Sequence, residues 1–329
     1  PTTVRMGTAT NMRAQVGAEH VAATNKCNDA ASEGSSIDDT KCGFNMESSG
    51  RHVYLIGNSV AAMYSEALIG ATETLDIPLT LDTTFGCFSM AVGNRDCSDN
   101  FTSEIDKLVD RRPGIVVMSS TWDLGVYGGG VTKEDQATEK EKVQFLITSL
   151  TESIMRLRNA GHEVLLVLPT PRFFNGSEPG TFVAAPDNPD TRYEGHSSSW
   201  RPQDCPVFKS DQSSCGASVP RAEEDAAQQR TINAIEKVAK ATGSETLDLR
   251  DHFCPDDMCV TNVGDRWIFE DGIHITVDES EALAPTFVTV LRQIIRKGWR
   301  ESKTGGSPKG DGASPTPTPL PSRSPSPSP

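Results

Sequence analysis

The chain has 329 residues, 36% hydrophobic and 23% charged, with a formal net charge of −14 at neutral pH. That is enough apolar material for one full core, so one domain with flexible ends is the expected partition. The acidic balance, with no Lys/Arg cluster to offset it, argues against nucleic acid as a partner, and no run comes near the ~20 apolar residues a membrane-spanning helix needs.

Residues 1–50 are polar and rich in Ala, Ser and Asn, tied only by Cys27 and Cys42, and read as an irregular arm lying against the domain. The chain opens at Pro1 with neither an initiator Met nor a signal peptide, and so reads as a processed chain or a piece of a larger one. "HVYLIG" (52–57) has the continuous apolar pattern of a buried strand and is followed by helical periodicity over 59–68. "PLTL" (78–81) is a short strand, and a helix starts at Ser98 with that serine as its N-cap. "GIVVMSS" (114–120) is a third strand, 132–160 a long helix stopped by Gly161, and "EVLLVLP" (163–169) a fourth strand. A long loop to Pro220 leads into a helix ending at Thr242. Then come "ETLDL" (245–249), a Cys-bearing loop, "RWIFEDGIH", and a last helix over 279–299.

Strands alternating with helices predict a parallel sheet covered on both faces, a three-layer α/β/α sandwich over residues 51–300. Residues 301–329 hold a Pro/Ser-rich stretch with almost nothing apolar, which predicts a disordered, extended tail.

The eight cysteines fall into close couples: Cys27 with Cys42, Cys87 with Cys97, Cys205 with Cys215, and Cys254 with Cys259. An even count in loop-like contexts predicts local disulfides and an oxidising compartment. Zinc is the rival for His252, Cys254 and Cys259, but structural zinc wants four ligands at tighter spacing and no second cluster completes the set. "GVYGGG" (125–130) fits neither the dinucleotide nor the P-loop glycine pattern and reads as a rim loop. Arg172 could contact a substrate or simply pair with acidic loop residues.

In such a sheet, ligands bind outside the carboxyl ends of the strands. The loops to inspect begin at Gly57, Asp82, Ser119, Pro169 and Arg250, together with the turn holding Asp271. Ser59 follows a buried strand at the first turn of a helix, where backbone N–H groups and a partial positive charge await a developing oxyanion. The plainer role for such a serine is capping its helix. A nucleophile also needs a base. His20 lies in the arm, His52 at the far end of its strand, His162 at the wrong edge and His196 in a long loop, which leaves His252 and His274. The spacing of Asp271 and His274 lets a turn bring the carboxylate to Nδ1, where it would fix the tautomer. Asp251, adjacent to His252, should diverge from it.

"GNS" after the first strand and "DGIH" before the last helix resemble the GDS and D-x-x-H blocks of the SGNH (GDSL-like) hydrolase superfamily. The run over 42–299 is more narrowly similar to the extracytoplasmic SGNH domain that follows membrane acyltransferase-3 domains in bacterial O-acetyltransferases of glycans and glycolipids. The narrower marks are the Cys42 segment, Trp122 after "VVMSS", "PTP" after the fourth strand, the loop "WRPQDCP", and Cys254 with Cys259 ahead of "DGIH". The resemblance implies a flavodoxin-like SGNH hydrolase fold and a catalytic triad of Ser59, Asp271 and His274. It also implies an oxyanion hole built from the Ser59 N–H and a glycine after the second strand, Gly86 or alternatively Gly93. Asn58 stands where the superfamily has Asp, and Trp122, beside Asp123, stands where it has an oxyanion-hole Asn.

The function so implied is O-acyl transfer, most simply O-acetyl transfer, to a hydroxyl of a cell-envelope glycan or glycolipid, with the acyl donor delivered by a membrane acyltransferase domain. A secreted carbohydrate or lipid esterase and a degenerate, non-catalytic glycan-binding domain are the alternatives. The expected chain is a monomer that needs no cofactor and no metal. Its expected place is extracytoplasmic, tethered by an N-terminal membrane domain or else secreted.

Overall fold

The computed structural model describes residues 15–27, 39–84, 95–122, 139–175, 182–183, 216–264 and 266–303. Its centre is a six-stranded sheet of β1 (Gly43–Phe44), β2 (Val53–Gly57), β3 (Leu79–Thr83), β4 (Ile115–Ser119), β5 (Glu163–Val167) and β6 (Glu245–Leu247), in the order β1-β3-β2-β4-β5-β6. All neighbours are parallel except β1, which runs antiparallel along β3 with Gly43 opposite Thr80. Counted from the first parallel strand, the order is 2-1-3-4-5. It reverses at β2, so the crevice for a ligand opens where β2 and β4 end side by side, Gly57 opposite Ser119.

The helices that cover the sheet or lead into its crevice include α1 (Ser59–Ala62), α2 (Ser65–Leu75), α3 (Arg95–Val109), α4 (Glu139–Asn159), α5 (Arg221–Thr242), α6 (Val277–Ala282) and α7 (Ala284–Lys303). The two-residue period of the strands divides the core between them. Val53, Leu55, Leu81, Val117 and Leu165 pack with Ala67 and Leu68 of α2 and Phe287 and Leu291 of α7. Tyr54, Ile56, Val116, Met118 and Leu166 pack on the other face with Ile105 of α3, Leu150 of α4 and Ile235 of α5. Both faces are covered, as the unbroken apolar runs require.

Several boundaries differ from expectation. The helix over 59–68 breaks at Met63 and Tyr64: a tight turn brings the Tyr64 N–H onto the Ala61 carbonyl, and the Ser65 hydroxyl donates to the Ala62 carbonyl. β3 ends two residues later than the second predicted strand, and α3 starts at Arg95, so Ser98 lies inside it rather than capping it. The last helix is two. Thr276 caps α6, its Oγ1 accepting the Glu279 N–H at 3.2 Å, and Pro285, which has no N–H to give, sits in the first turn of α7.

The arm has helical turns at Val21–Thr24 and Asp39–Cys42, and it supplies the edge strand β1. Disulfides join Cys27 to Cys42 and Cys254 to Cys259. Cys87, Cys205 and Cys215, and with them the other two expected pairings, lie outside the described residues, as do His196, Asp123, the 125–130 loop, "WRPQDCP" and the tail. Among the described residues no helix is long and apolar enough to cross a membrane.

Candidate active site

The chain leaves β2 through Gly57, whose φ of +134° suits glycine alone, and whose missing Cβ would otherwise lie 1.8 Å from the Ser119 carbonyl oxygen. Buried Asn58 then caps α1: its Oδ1 accepts the Val60 N–H at 3.0 Å and its carbonyl accepts the Ala61 and Ala62 N–H groups. The Ser59 N–H therefore has no acceptor among the described residues, as expected for the first residue of a helix. The amide of Asn58 donates to Thr121 Oγ1 at 2.7 Å, which ties the start of α1 to the end of β4.

Across the crevice, Asp271 folds its own turn. Its Oδ1 accepts the N–H groups of Ile273 and His274, each at 2.7 Å, and its Oδ2 accepts from His274 Nδ1 at 2.8 Å. His274 Nε2 then lies 2.9 Å from Ser59 Oγ. A carboxylate can only accept, so the proton of a neutral ring sits on Nδ1 and Nε2 is left to receive one. The turn is braced from outside: the Phe173 N–H donates to the Gly272 carbonyl at 2.9 Å and the Glu270 N–H to the His274 carbonyl at 2.9 Å.

Burial alone would raise Asp271, but the bond and charge of His274 and the two backbone N–H groups outweigh it and hold the carboxyl below the ordinary aspartate range. Among the described residues its neighbour Glu270 has no such donors. Burial pushes it up to about 7, with the Asp271 charge adding to the rise and His20 and His274 opposing it.

The other described histidines are engaged elsewhere. His52 Nε2 meets Thr80 Oγ1 at 2.8 Å, and its ring stacks on Tyr54 with centroids 4.2 Å apart. His162 accepts the Gly114 N–H at 3.2 Å and donates to the Leu108 carbonyl at 2.9 Å. His252 pairs with the fully buried Glu279, while the exposed Asp251 pairs with Arg221 at 2.7 Å. With Cys254 and Cys259 bonded to each other, that stretch offers no thiolate set for zinc. His20, set aside in the sequence because it lies in the arm, is buried against Glu66. No local pattern marks it, because its partner is 46 residues away.

Trp122 is buried and its indole N–H donates to the Val167 carbonyl of β5 at 3.2 Å. Arg172 is buried too, its backbone N–H held by Glu224 at 3.1 Å. Gly86 and Gly93 lie outside the described residues.

The fold and this line of hydrogen bonds define a doubly wound α/β protein with a serine, a histidine and an aspartate meeting at its switch point. The family described as "SGNH domain (fused to AT3 domains)" matches residues 26–289, and the chain belongs to it. The solved structures similar to it include the periplasmic domain of the Salmonella ser. Paratyphi A lipopolysaccharide acetyltransferase, at 16% identity and a TM-score of 0.46, covering 84% of this chain and 97% of that one. A GDSL-like lipase from Bacteroides thetaiotaomicron is 13% identical with a TM-score of 0.41, covering 75% and 89%. No curated protein matches the chain significantly.

Proposed function

We propose that this domain is a serine acyltransferase acting outside the cytoplasm, with Ser59 as nucleophile, His274 as proton carrier and Asp271 as its orienting carboxylate. One observation carries the reading: the unbroken line from Asp271 Oδ2 through His274 to Ser59 Oγ, with contacts of 2.8 and 2.9 Å, at the carboxyl edge of the sheet. Ser59 Oγ attacks the acyl carbonyl while its proton passes to His274 Nε2. The tetrahedral intermediate then expels the donor's leaving oxygen, which takes that proton. An acceptor hydroxyl attacks the acyl-serine, gives its proton to His274, and leaves as the ester while Ser59 Oγ recovers a proton. The Ser59 N–H supplies one oxyanion donor, and a glycine in the loop after β3, Gly86 or Gly93, supplies the second.

Membership of a family fused to AT3 domains supports a membrane acyltransferase domain as the source of the acyl group and an envelope glycan or glycolipid as its acceptor. The two disulfides support the oxidising side of a membrane. Water in place of the acceptor would make the same residues an esterase, so hydrolysis of a small activated acetyl ester is the first assay. Ser59→Ala should lower its turnover roughly 10⁴-fold or more, and Asp271→Asn, which favours the wrong tautomer, about 10²- to 10⁴-fold. A fluorophosphonate should label Ser59. Undiminished turnover in Ser59→Ala would overturn the reading, and an unlabelled Ser59 with no transfer to a glycan acceptor would favour a binding domain.

A further inference from the structure

The arm contributes one residue that this scheme leaves unused. His20 is buried with both ring nitrogens on acceptors: Nδ1 lies 2.6 Å from Glu66 Oε2, and Nε2 lies 2.9 Å from the carbonyl oxygen of Ile275, the residue after His274. The second carboxylate oxygen of Glu66 accepts the Val21 N–H at 2.7 Å. Neither a carboxylate nor a carbonyl has a proton to offer, so both contacts are hydrogen bonds only when His20 is an imidazolium. A neutral ring would turn a lone pair toward one of the two oxygens.

The groups that face His20 agree. Burial alone would lower its pKa, but the bond and charge of Glu66 on α2, the Ile275 carbonyl and the charge of Glu270 outweigh it and hold it above the ordinary histidine value. Beyond Glu270 stand Asp271 and His274 themselves. The arm reaches the segment that leads to Asp271 and the end of β3. Gln15 Oε1 accepts the Trp267 N–H at 2.9 Å, and the Cys27 carbonyl accepts the Thr83 N–H at 3.2 Å at the end of β3. The Cys27–Cys42 disulfide staples the arm beside that edge.

We propose that His20, kept as an imidazolium by Glu66, is a positioning residue that grips the Ile275 carbonyl and so fixes the turn presenting His274 to Ser59, and that activity falls at alkaline pH when the ring gives up a proton. The kinetic consequence rests on the triad reading above, but the protonation of His20 does not. The hold of His20 is complete below the ordinary histidine value and is lost as pH rises through its higher folded value.

The test uses the whole chain. Nitrogen-15 imidazole spectra at neutral pH, assigned by the signal missing in His20→Gln, should show both His20 nitrogens protonated. His20→Leu removes both bonds and should lower kcat for an activated acetyl ester roughly tenfold to a hundredfold with little change in KM, because an ångström of misplacement at the base costs that much. In His20→Gln the amide N–H reaches the place of Nε2, and it should restore most of kcat while abolishing the alkaline limb. If His20→Leu fails to fold, Glu66→Gln decides: it leaves a neutral ring that still donates to Ile275, and the limb should vanish. A singly protonated His20, a folded His20→Leu with the parent's kcat and pH profile, or a Glu66→Gln with the limb intact would each overturn the proposal. Undiminished activity in Ser59→Ala would instead sink the triad reading and leave the His20 spectra to stand on their own.

Discussion

Replacing Gly57 by alanine would disturb Ser59, the proposed nucleophile, from behind. Gly57 closes β2 at a φ of +134°, and an added Cβ would lie 1.8 Å from the Ser119 carbonyl oxygen and 2.9 Å from Ala61 Cβ. The Ser119 oxygen is backbone and cannot swing aside, so β2 and β4 must part by more than an ångström where they end together. Holding alanine in this conformation costs about 1–3 kcal/mol and the overpacking about 1–3 kcal/mol more, together about 2–6 kcal/mol. That is a large share of the ~5–15 kcal/mol a domain has to lose. Ser59 lies two residues on, so the same shift should slow its reactivity about 100-fold. Urea unfolding reads the first effect and the rate of fluorophosphonate labelling the second. Gly264→Ala is the control: its φ is +60° with nothing within 4 Å of an added Cβ, so it should cost only about 1–2 kcal/mol and leave labelling alone. A Gly57→Ala protein with the parent's urea midpoint and labelling rate would refute the argument that this contact shapes the strand exit.

Opening the Cys27–Cys42 link by replacing both cysteines with serine should cost about 3 kcal/mol, the chain-entropy value for a loop of this length, read as a lower thermal midpoint that reductant no longer changes. Glu104, buried beside Asp82, is held well above the ordinary glutamate value by burial first and the Asp82 charge second. The folded state therefore keeps a proton that the unfolded chain releases, and stability should fall as pH climbs from the ordinary value through the folded one. Glu104→Gln retains an oxygen for the Thr84 hydroxyl and should flatten the thermal midpoint between pH 5 and 9; a variant that tracks the parent would show that Glu104 is not the titrating group.

Much of the fold is legible in local pattern. A strand buried on both faces must be apolar throughout, so 53–57, 115–119 and 163–167 stand out in the sequence within a residue or two of their ends. The same local logic places Ser59 at a strand-to-helix exit and sets Asp271 three residues before His274, because a carboxylate can close its own turn only over that short span. Periodicity reports which side chains face a core, but not which partners they find there.

Tertiary structure therefore decided everything that depends on meeting across the chain. The strand order brings Gly57 beside Ser119 and opens the crevice at β2, and it carries His274 Nε2 to a serine 215 residues away. It gives the Trp122 indole a sheet carbonyl as its acceptor, at the position where the resembling family has an oxyanion-hole Asn. The arm shows the difference most clearly: a polar segment with one histidine carries no periodic signal, yet His20 is buried between partners 46 and 255 residues distant. An ion pair of that kind is specified only by the packed three-dimensional surroundings that exclude water from it.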